Sequence, residues 1–165
     1  MEIWRIFFTN FPPGKKKKET LRKFFGFVRK EFRGTNAILS ADLFGMTTTN
    51  TDDLNIGQYL EFALPYFDYV APMVYPSHYP LKWNGYKDPE AYPYEVVNYS
   101  MKKAFLRAST TPQKLRPWLQ DFGLRMDYDA KMVKAQISAV YDSGLTSWML
   151  WNPSNRYTRE ALEGE

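Results

Sequence analysis

The 165-residue sequence has no cysteine and a single histidine, His78. These absences exclude a disulfide scaffold, thiolate catalysis and zinc sites built from cysteine or from several histidines. No apolar run approaches the roughly 18 residues that a membrane-spanning helix needs, so we expect no membrane span. No glycine-rich phosphate loop follows an apolar run, which argues against a bound nucleotide. We therefore predict neither a metal centre nor a cofactor.

The sequence does contain enough apolar material for a packed core. Hydrophobic residues make up 44% of the chain, and the aromatic fraction of 18% is high, with 12 Tyr, 12 Phe and 5 Trp. A disordered tail would be poorer in both classes. The length fits one domain or part of one.

The net charge of +4 is concentrated near the start of the chain. Residues 1–33 carry ten Lys or Arg against three acids, whereas the other 132 residues carry twelve against fifteen. Four consecutive lysines at 15–18 lead into a helical pattern, which favours a solvated helix start and no nucleic-acid partner. The alternative is a phosphate-binding patch, which would predict binding that weakens steeply with salt.

Short apolar runs alternate with helical patterns along the whole chain. The predicted strands lie at 3–8, 37–44, 68–75, 115–119 and 147–151, and helices of about 16, 11, 14 and 14 residues are predicted between them, the first ending before Gly34. The second helix would span about 56–66, with Asp52 or Asp53 as its cap. This order predicts an α/β fold with a parallel sheet and right-handed crossovers. Pro72 weakens the third strand or places it near a strand end.

Polar residues fall at the ends of these strands. They are Asp42, Tyr75, His78, Gln120, Asp121 and Asn152. Barrel enzymes build their sites on the face where parallel strands end, so this placement favours a (β/α)8 barrel over an open sheet. A long segment, residues 76–93, follows the third strand and is predicted to be either functional or disordered, and its aromatics favour function.

Five blocks of sequence resemble a known family. They are Ser40-Ala41-Asp42-Leu43-Phe44-Gly45, the run from Thr51 to Gln58, the run from Ala71 to Tyr79, Arg116-Pro117-Trp118-Leu119-Gln120-Asp121-Phe122, and Trp148-Met149-Leu150-Trp151-Asn152-Pro153. The chain is similar to bacterial glycoside hydrolase-like (β/α)8 barrels, a domain of unknown function distantly related to alpha-amylase-type barrels. The resemblance implies a partial TIM barrel, about strands 4 to 8, with residues 1–165 as the C-terminal five-eighths of one domain.

The resemblance stops at the beginning of the chain. Relatives have an Asp-Tyr-Ile-Arg-Phe-Pro pattern whose Asp occupies the nucleophile position of amylase-like barrels. Aligned on Phe11-Pro12, that Asp falls at Phe7 and the Arg at Asn10. Neither side chain can replace the lost chemistry.

Glycoside hydrolysis usually needs two carboxyl groups on either side of the scissile bond. Asp42 and Asp121 are the candidates, Asp42 as general acid and Asp121 as second carboxylate or transition-state stabiliser. Two strands apart on a barrel rim, they are expected within about 10 Å of each other. The alternatives are a capping role for Asp42 and a salt bridge to Arg125 for Asp121.

The remaining rim residues are predicted to bind the sugar. Tyr75 and Trp151 offer aromatic faces, and His78 offers a hydrogen bond to a hydroxyl. Gln120 and Asn152 complete the predicted substrate-binding set. The expected partner is a polysaccharide or oligosaccharide, in an extracellular or cell-envelope setting that the resemblance favours only weakly.

The sequence leaves the activity of this chain open. The first hypothesis is a glycoside hydrolase fragment that works by carboxylate acid/base chemistry. The alternative is a non-catalytic carbohydrate-binding or envelope scaffold protein, which the loss of Asp at Phe7 favours. Open barrel edges would also favour self-association.

Overall fold

A computed structural model of the protein describes residues 17–163. Its four strands are β1 (Ser40–Phe44), β2 (Tyr69–Val74), β3 (Trp118–Gln120) and β4 (Met149–Trp151). All neighbouring pairs are parallel, in the order β1-β2-β3-β4. The α-helices are α1 (Lys17–Glu31), α2 (Leu60–Ala63), α3 (Pro93–Ala108) and α4 (Ala130–Asp142). The predicted α/β parallel sheet is confirmed. The predicted strand at 3–8, which includes Phe7, lies outside the described residues, as does Asn10.

The main core lies between the sheet and its helices. Leu43, Val70, Val74 and Leu119 leave the sheet on one side and join buried residues of α3, among them Val96, Val97 and Met101. Alternation along each strand sends the neighbouring residues to the other side of the sheet. That second side, here called the open face, carries Ser40, Asp42, Phe44, Tyr69, Ala71, Met73, Trp118, Gln120, Met149 and Trp151.

Pro72 lies inside β2, between two paired strands, rather than at a strand end. The pairs Val70 with Leu115 and Met73 with Trp118 share one register, which sets Pro72 opposite Pro117. Neither proline has an N–H group, and the ladder between β2 and β3 is interrupted at this level. Because the two prolines lie opposite each other, the missing hydrogen bonds between β2 and β3 are limited to one level of the sheet.

The helix predicted at 56–66 is reduced to α2, a single turn. Leu54 and Asn55 have φ angles of 51° and 55°, and Gly57 has a φ of 83°, values that a right-handed helix cannot include. Asp52 and Asp53 accept hydrogen bonds from the backbone N–H groups two residues ahead, at 2.9 and 3.1 Å. They form local turns instead of the predicted helix cap.

Residues 76–93 form an ordered segment. Three short 3₁₀ helices, Pro76–His78, Trp83–Gly85 and Pro89–Ala91, follow one another here. Tyr79 is buried and its hydroxyl lies 2.9 Å from the Ser100 hydroxyl of α3. The segment is therefore packed onto the helix layer.

An ion pair ties α1 to the N-terminal ends of β1 and β2. Arg29 donates two hydrogen bonds to Asp68, at 3.1 and 2.9 Å, and the Leu39 N–H donates a third at 2.9 Å. These bonds, those from Arg29 above all, lower the pKa of Asp68 to about 2. The carboxylate thus favours the folded state whenever it is ionised.

We expect Asp68→Asn to lower thermal stability in a pH-dependent way. An unfolded Asp titrates near a pKa of about 3.9. The stabilisation from Asp68 is complete above that pH and is lost as the pH falls towards 2. Melting temperatures of wild type and variant should therefore differ above about pH 4 and converge below it. Asp127→Asn, at an exposed loop position, is the control, and a difference that is the same at every pH would contradict the assignment.

The described part of the chain has no helix long and apolar enough to cross a membrane.

Candidate functional site

Asp42 is the only acidic residue in the four described strands, and it lies on the open face. The residue is exposed, whereas its neighbour Leu43 is buried in the core. The Trp118 indole N–H donates a hydrogen bond of 2.9 Å to Asp42 Oδ1. The predicted alternative of a capping role is not what the structure shows, because Asp42 sits in the interior of β1.

The hydrogen bond between Trp118 and Asp42 spans the strand that lies between them. Asp42 pairs with Ala71, and Trp118 pairs with Met73, two positions further along β2. The indole of Trp118 on β3 therefore reaches diagonally across β2 to Asp42 on β1. Trp118 therefore orients one oxygen of Asp42 and leaves the other without a described hydrogen bond.

A second tryptophan extends this surface. The rings of Trp118 and Trp151 are 6.1 Å apart at an interplanar angle of 80°, and Trp151 is 43% exposed. An exposed ring beside a carboxylate is the arrangement in which a sugar can stack and donate hydrogen bonds at once. The structure thus brings Asp42 and Trp151 to one surface through Trp118.

Tyr75 lies just beyond β2 in an aromatic cluster. Its ring is 5.3 Å from that of His78 and 5.6 Å from that of Phe122, and the residue is 7% exposed. Burial raises the pKa of Tyr75, and the charge of Asp42 raises it further. The phenol therefore stays protonated and available as a hydrogen-bond donor near Asp42.

His78 is exposed, and its Nδ1 lies 3.0 Å from the Ser77 hydroxyl. Desolvation lowers the pKa of His78, and the nearby charge of Arg125 lowers it further. The imidazole is therefore neutral at pH 7, with its Nε2 free of any described hydrogen bond. In this form it can donate to or accept from a hydroxyl group.

Gln120 occupies a different environment from the one predicted. Its side chain is fully buried, with Oε1 accepting from the Ser77 N–H at 3.0 Å and Nε2 donating to Glu90 at 3.3 Å and to the Phe122 carbonyl at 2.7 Å. All its side-chain hydrogen-bonding groups are thus engaged within the protein. Gln120 holds the loops after β2 and β3 together.

Glu90 is the central residue of this network, and no pattern in the sequence singled it out. It is fully buried and accepts from the Leu124 and Arg125 N–H groups at 2.7 and 2.9 Å. Its approach to Arg125 Nε is 3.5 Å. The one signal near Glu90 in the sequence is the preceding Asp88-Pro89 pair, which is typical of a turn. It does not indicate that the next residue is buried.

Asp121 is 2% exposed, and both of its carboxylate oxygens are occupied. Thr158 donates to them from its backbone N–H at 2.8 Å and from its hydroxyl at 2.7 Å. The alternative prediction of a salt bridge to Arg125 is wrong, because Arg125 pairs with Asp88 at 2.8 Å and approaches Glu90. Asp121 instead anchors the segment that follows β4.

Asn152 also stabilises this segment. Its Nδ2 donates to the Asp121 carbonyl, and its Oδ1 accepts from the Ser154 N–H at 2.8 Å. Asn152 therefore holds the turn after β4, next to Trp151.

The strand register separates the two predicted catalytic carboxylates. Asp42 pairs with Ala71, which the register between β2 and β3 sets level with Arg116, five positions before Asp121. Five residues correspond to about 16 Å along the strands, and two strand spacings to about 10 Å across them. The resulting backbone separation of about 19 Å exceeds the 10 Å expected from the sequence. The register therefore argues against a catalytic pair formed by Asp42 and Asp121.

Residues 17–163 contain no group of three His, Asp or Glu side chains arranged to hold a metal ion. What the open face does offer is one carboxylate, oriented by an indole and flanked by aromatic rings. Such a surface can bind a sugar and can exchange a proton with it through Asp42.

The parallel sheet has helices packed on one side, and its other side carries an acid and two tryptophans. This is the arrangement of an α/β domain of the barrel type. The chain belongs to the family described as "putative glycosyl hydrolase domain", which matches residues 6–157. The resemblance seen in the sequence is thereby confirmed, and the chain is a glycoside hydrolase-like domain.

A solved structure has the same fold. The glycoside hydrolase domain of PgaB (BpsB) from Bordetella bronchiseptica matches with a TM-score of 0.58 and 19% sequence identity. The match covers 82% of this chain and 37% of that one, so this chain spans well under half the length of its structural relative. A comparison with curated proteins gives no match.

Proposed function

We propose that the open face binds a polysaccharide chain and that Asp42 is its acid/base carboxylate. In this proposal the chain supplies about strands 4 to 8 of a glycoside hydrolase-like barrel. The observation that carries it is the exposed Asp42 carboxylate, held at 2.9 Å by the Trp118 indole beside the exposed ring of Trp151.

The roles of the individual residues follow from their contacts. Trp151 stacks against a sugar ring, and the neutral His78 and the protonated Tyr75 hydrogen-bond to hydroxyls. Asp42, when protonated, donates its proton to the departing glycosidic oxygen as the glycosidic C–O bond breaks; a water molecule then adds to the anomeric carbon and gives a proton back to the Asp42 carboxylate. Gln120, Asp121 and Asn152 position the loops around this surface through their internal hydrogen bonds.

A second candidate function is carbohydrate binding without catalysis. One observation favours it: Asp121 is sequestered by Thr158, so the described strands present a single exposed carboxylate where hydrolysis usually needs two. In this case the same aromatic surface would retain the sugar and no glycosidic bond would be broken.

Trp151→Ala tests the location of the site for both candidates. The variant should weaken binding to a responsive cell-wall glycan by about tenfold, as loss of a stacking aromatic typically does. Binding is measured by affinity electrophoresis across a panel of glycans, and release of reducing ends is measured in parallel. Phe32→Ala, which removes an exposed aromatic at the end of α1, is the matched control.

The outcomes separate the candidates. Release of reducing ends by wild type, reduced in Trp151→Ala, supports hydrolysis at the open face. Binding without release supports the non-catalytic function. Unchanged binding in Trp151→Ala refutes the proposed site under either function.

A further inference from the structure

The outer surface of α3 carries a groove that faces away from the sheet. Its lining residues are Tyr86, Tyr94, Glu95, Asn98, Tyr99, Lys102, Lys103 and Leu106, and its volume is about 360 Å³. The opposite side of α3 packs into the core through Val96, Val97 and Met101. The groove and the open face therefore lie on opposite sides of the sheet.

Helical spacing puts the groove residues in line. Glu95, Tyr99, Lys102 and Leu106 recur at intervals of four, three and four, which is one face of a helix. Tyr86, from the segment before α3, forms the other wall and contacts Tyr92 at 4.8 Å between ring centroids. The groove is thus lined by tyrosine rings from α3 and from the segment before it.

Two of the tyrosines are held in place by contacts with residues outside the groove. The Tyr94 hydroxyl donates to Asp142 of α4 at 2.8 Å, and the ring of Tyr99 meets that of Trp83 edge-on at 5.5 Å. Such support fixes the rings before a ligand arrives, which lowers the entropy cost of binding.

Several polar groups of the groove have no hydrogen-bond partner among residues 17–163. Asn98 donates through Nδ2 to the Ala139 carbonyl at 3.2 Å, and its Oδ1 has no described partner. Within residues 17–163 the Lys102 and Glu95 side chains form no hydrogen bond or ion pair, and Lys103 only approaches the Tyr99 ring, at 5.5 Å. The lining side chains carry two lysines and one glutamate, a net charge of +1, and the Asp142 carboxylate lies beside them at the Tyr94 hydroxyl.

We propose that this groove is a second binding site, for an acidic oligosaccharide. The inference rests on the proposed function in that it takes the ligand of the domain to be a saccharide. Tyrosine faces suit the apolar faces of sugar rings, Asn98 Oδ1 accepts from a hydroxyl, and Lys102 and Lys103 pair with uronate carboxylates. A site remote from the open face would keep a long polymer attached while the open face engages another part of it.

The test uses a hexamer of galacturonic acid as the ligand and xylohexaose as a neutral comparison, measured by calorimetry. Lys102→Glu and Tyr99→Ala should each weaken binding of the acidic hexamer by about tenfold. Lys131→Glu, the same charge change at an exposed position of α4, should change it by less than about twofold. Because Lys102 is free of internal contacts, its variant should fold normally even if Tyr99→Ala does not.

Trp151→Ala makes the two sites distinguishable. Binding of the acidic hexamer that is retained in Trp151→Ala and lost in Lys102→Glu supports the groove. This result holds even if the open face does not bind a glycan. Binding lost in Trp151→Ala and unchanged in Lys102→Glu overturns the second site and leaves the open face intact. No binding of the hexamer, or equal affinity for both hexamers at low and high salt, also overturns it.

Discussion

Replacing Asp42 by Asn is expected to reduce release of reducing sugar by about 10²-fold or more, the usual contribution of a positioned acid or base. The amide cannot donate a proton as a carboxylic acid does. It keeps an oxygen that can accept the hydrogen bond from the Trp118 indole, so the geometry of the open face should persist. Glycan binding by Asp42→Asn should therefore stay close to that of wild type.

Asp127→Asn is the matched control, because it makes the same exchange at an exposed loop position. Its rate should equal that of wild type. Equal release of reducing sugar by wild type and Asp42→Asn would show that Asp42 does not act as the acid or base. Binding by all three proteins with release by none would favour the non-catalytic function.

The second large effect is expected from Glu90→Ala, which should lower the free energy of unfolding by about 2–4 kcal/mol. The substitution leaves the N–H groups of Leu124 and Arg125 without their buried acceptor and removes a partner of Gln120. A donor left unpaired away from water costs more than its hydrogen bond contributes to stability. Denaturant unfolding followed by tryptophan fluorescence measures the change.

Glu90→Gln provides an intermediate case. The amide keeps one oxygen acceptor, so part of the network survives and the loss should be smaller than for Glu90→Ala. Glu31→Ala removes an exposed glutamate at the end of α1 and should change stability by less than about 0.5 kcal/mol. If Glu90→Ala were as stable as Glu31→Ala, the network would not hold the loops.

The same network links stability to the open face. Glu90 and Gln120 fix the loop after β3, which carries Phe122, and Phe122 packs against Tyr75 and His78. We therefore expect variants of Glu90 to disturb glycan binding as well as folding. Of these two buried positioning residues, Gln120 was predicted from the sequence as a substrate-binding residue, whereas Glu90 was not predicted at all.

Much of the architecture could be predicted from local patterns. The apolar runs that became β1 to β4 and the periodicity of α1, α3 and α4 lie close to their predicted places. These elements depend on the spacing at which apolar residues recur, which can be read directly from the sequence. The prediction of the second helix was wrong because Leu54, Asn55 and Gly57 have positive φ angles, which end a right-handed helix. The spacing of apolar residues does not indicate such backbone angles.

The candidate site was predictable in its composition and not in its geometry. Parallel strands direct their ends to one side, so acids and aromatics near those ends could be named from the sequence. Whether two of them meet depends on register, which pairs residues that are far apart in the chain. Asp42 and Asp121 differ by five positions in that register, and only the assembled sheet reveals it.

The chain's own residues thus specified an α/β sheet, its family and an exposed acid among aromatics. Tertiary packing decided that Asp42 would be oriented by Trp118, that Asp121 would be enclosed by Thr158, and that Glu90 would be buried. The physical reason is that periodicity is a local property, whereas burial and hydrogen-bond partners are set by contacts between residues separated by tens of positions.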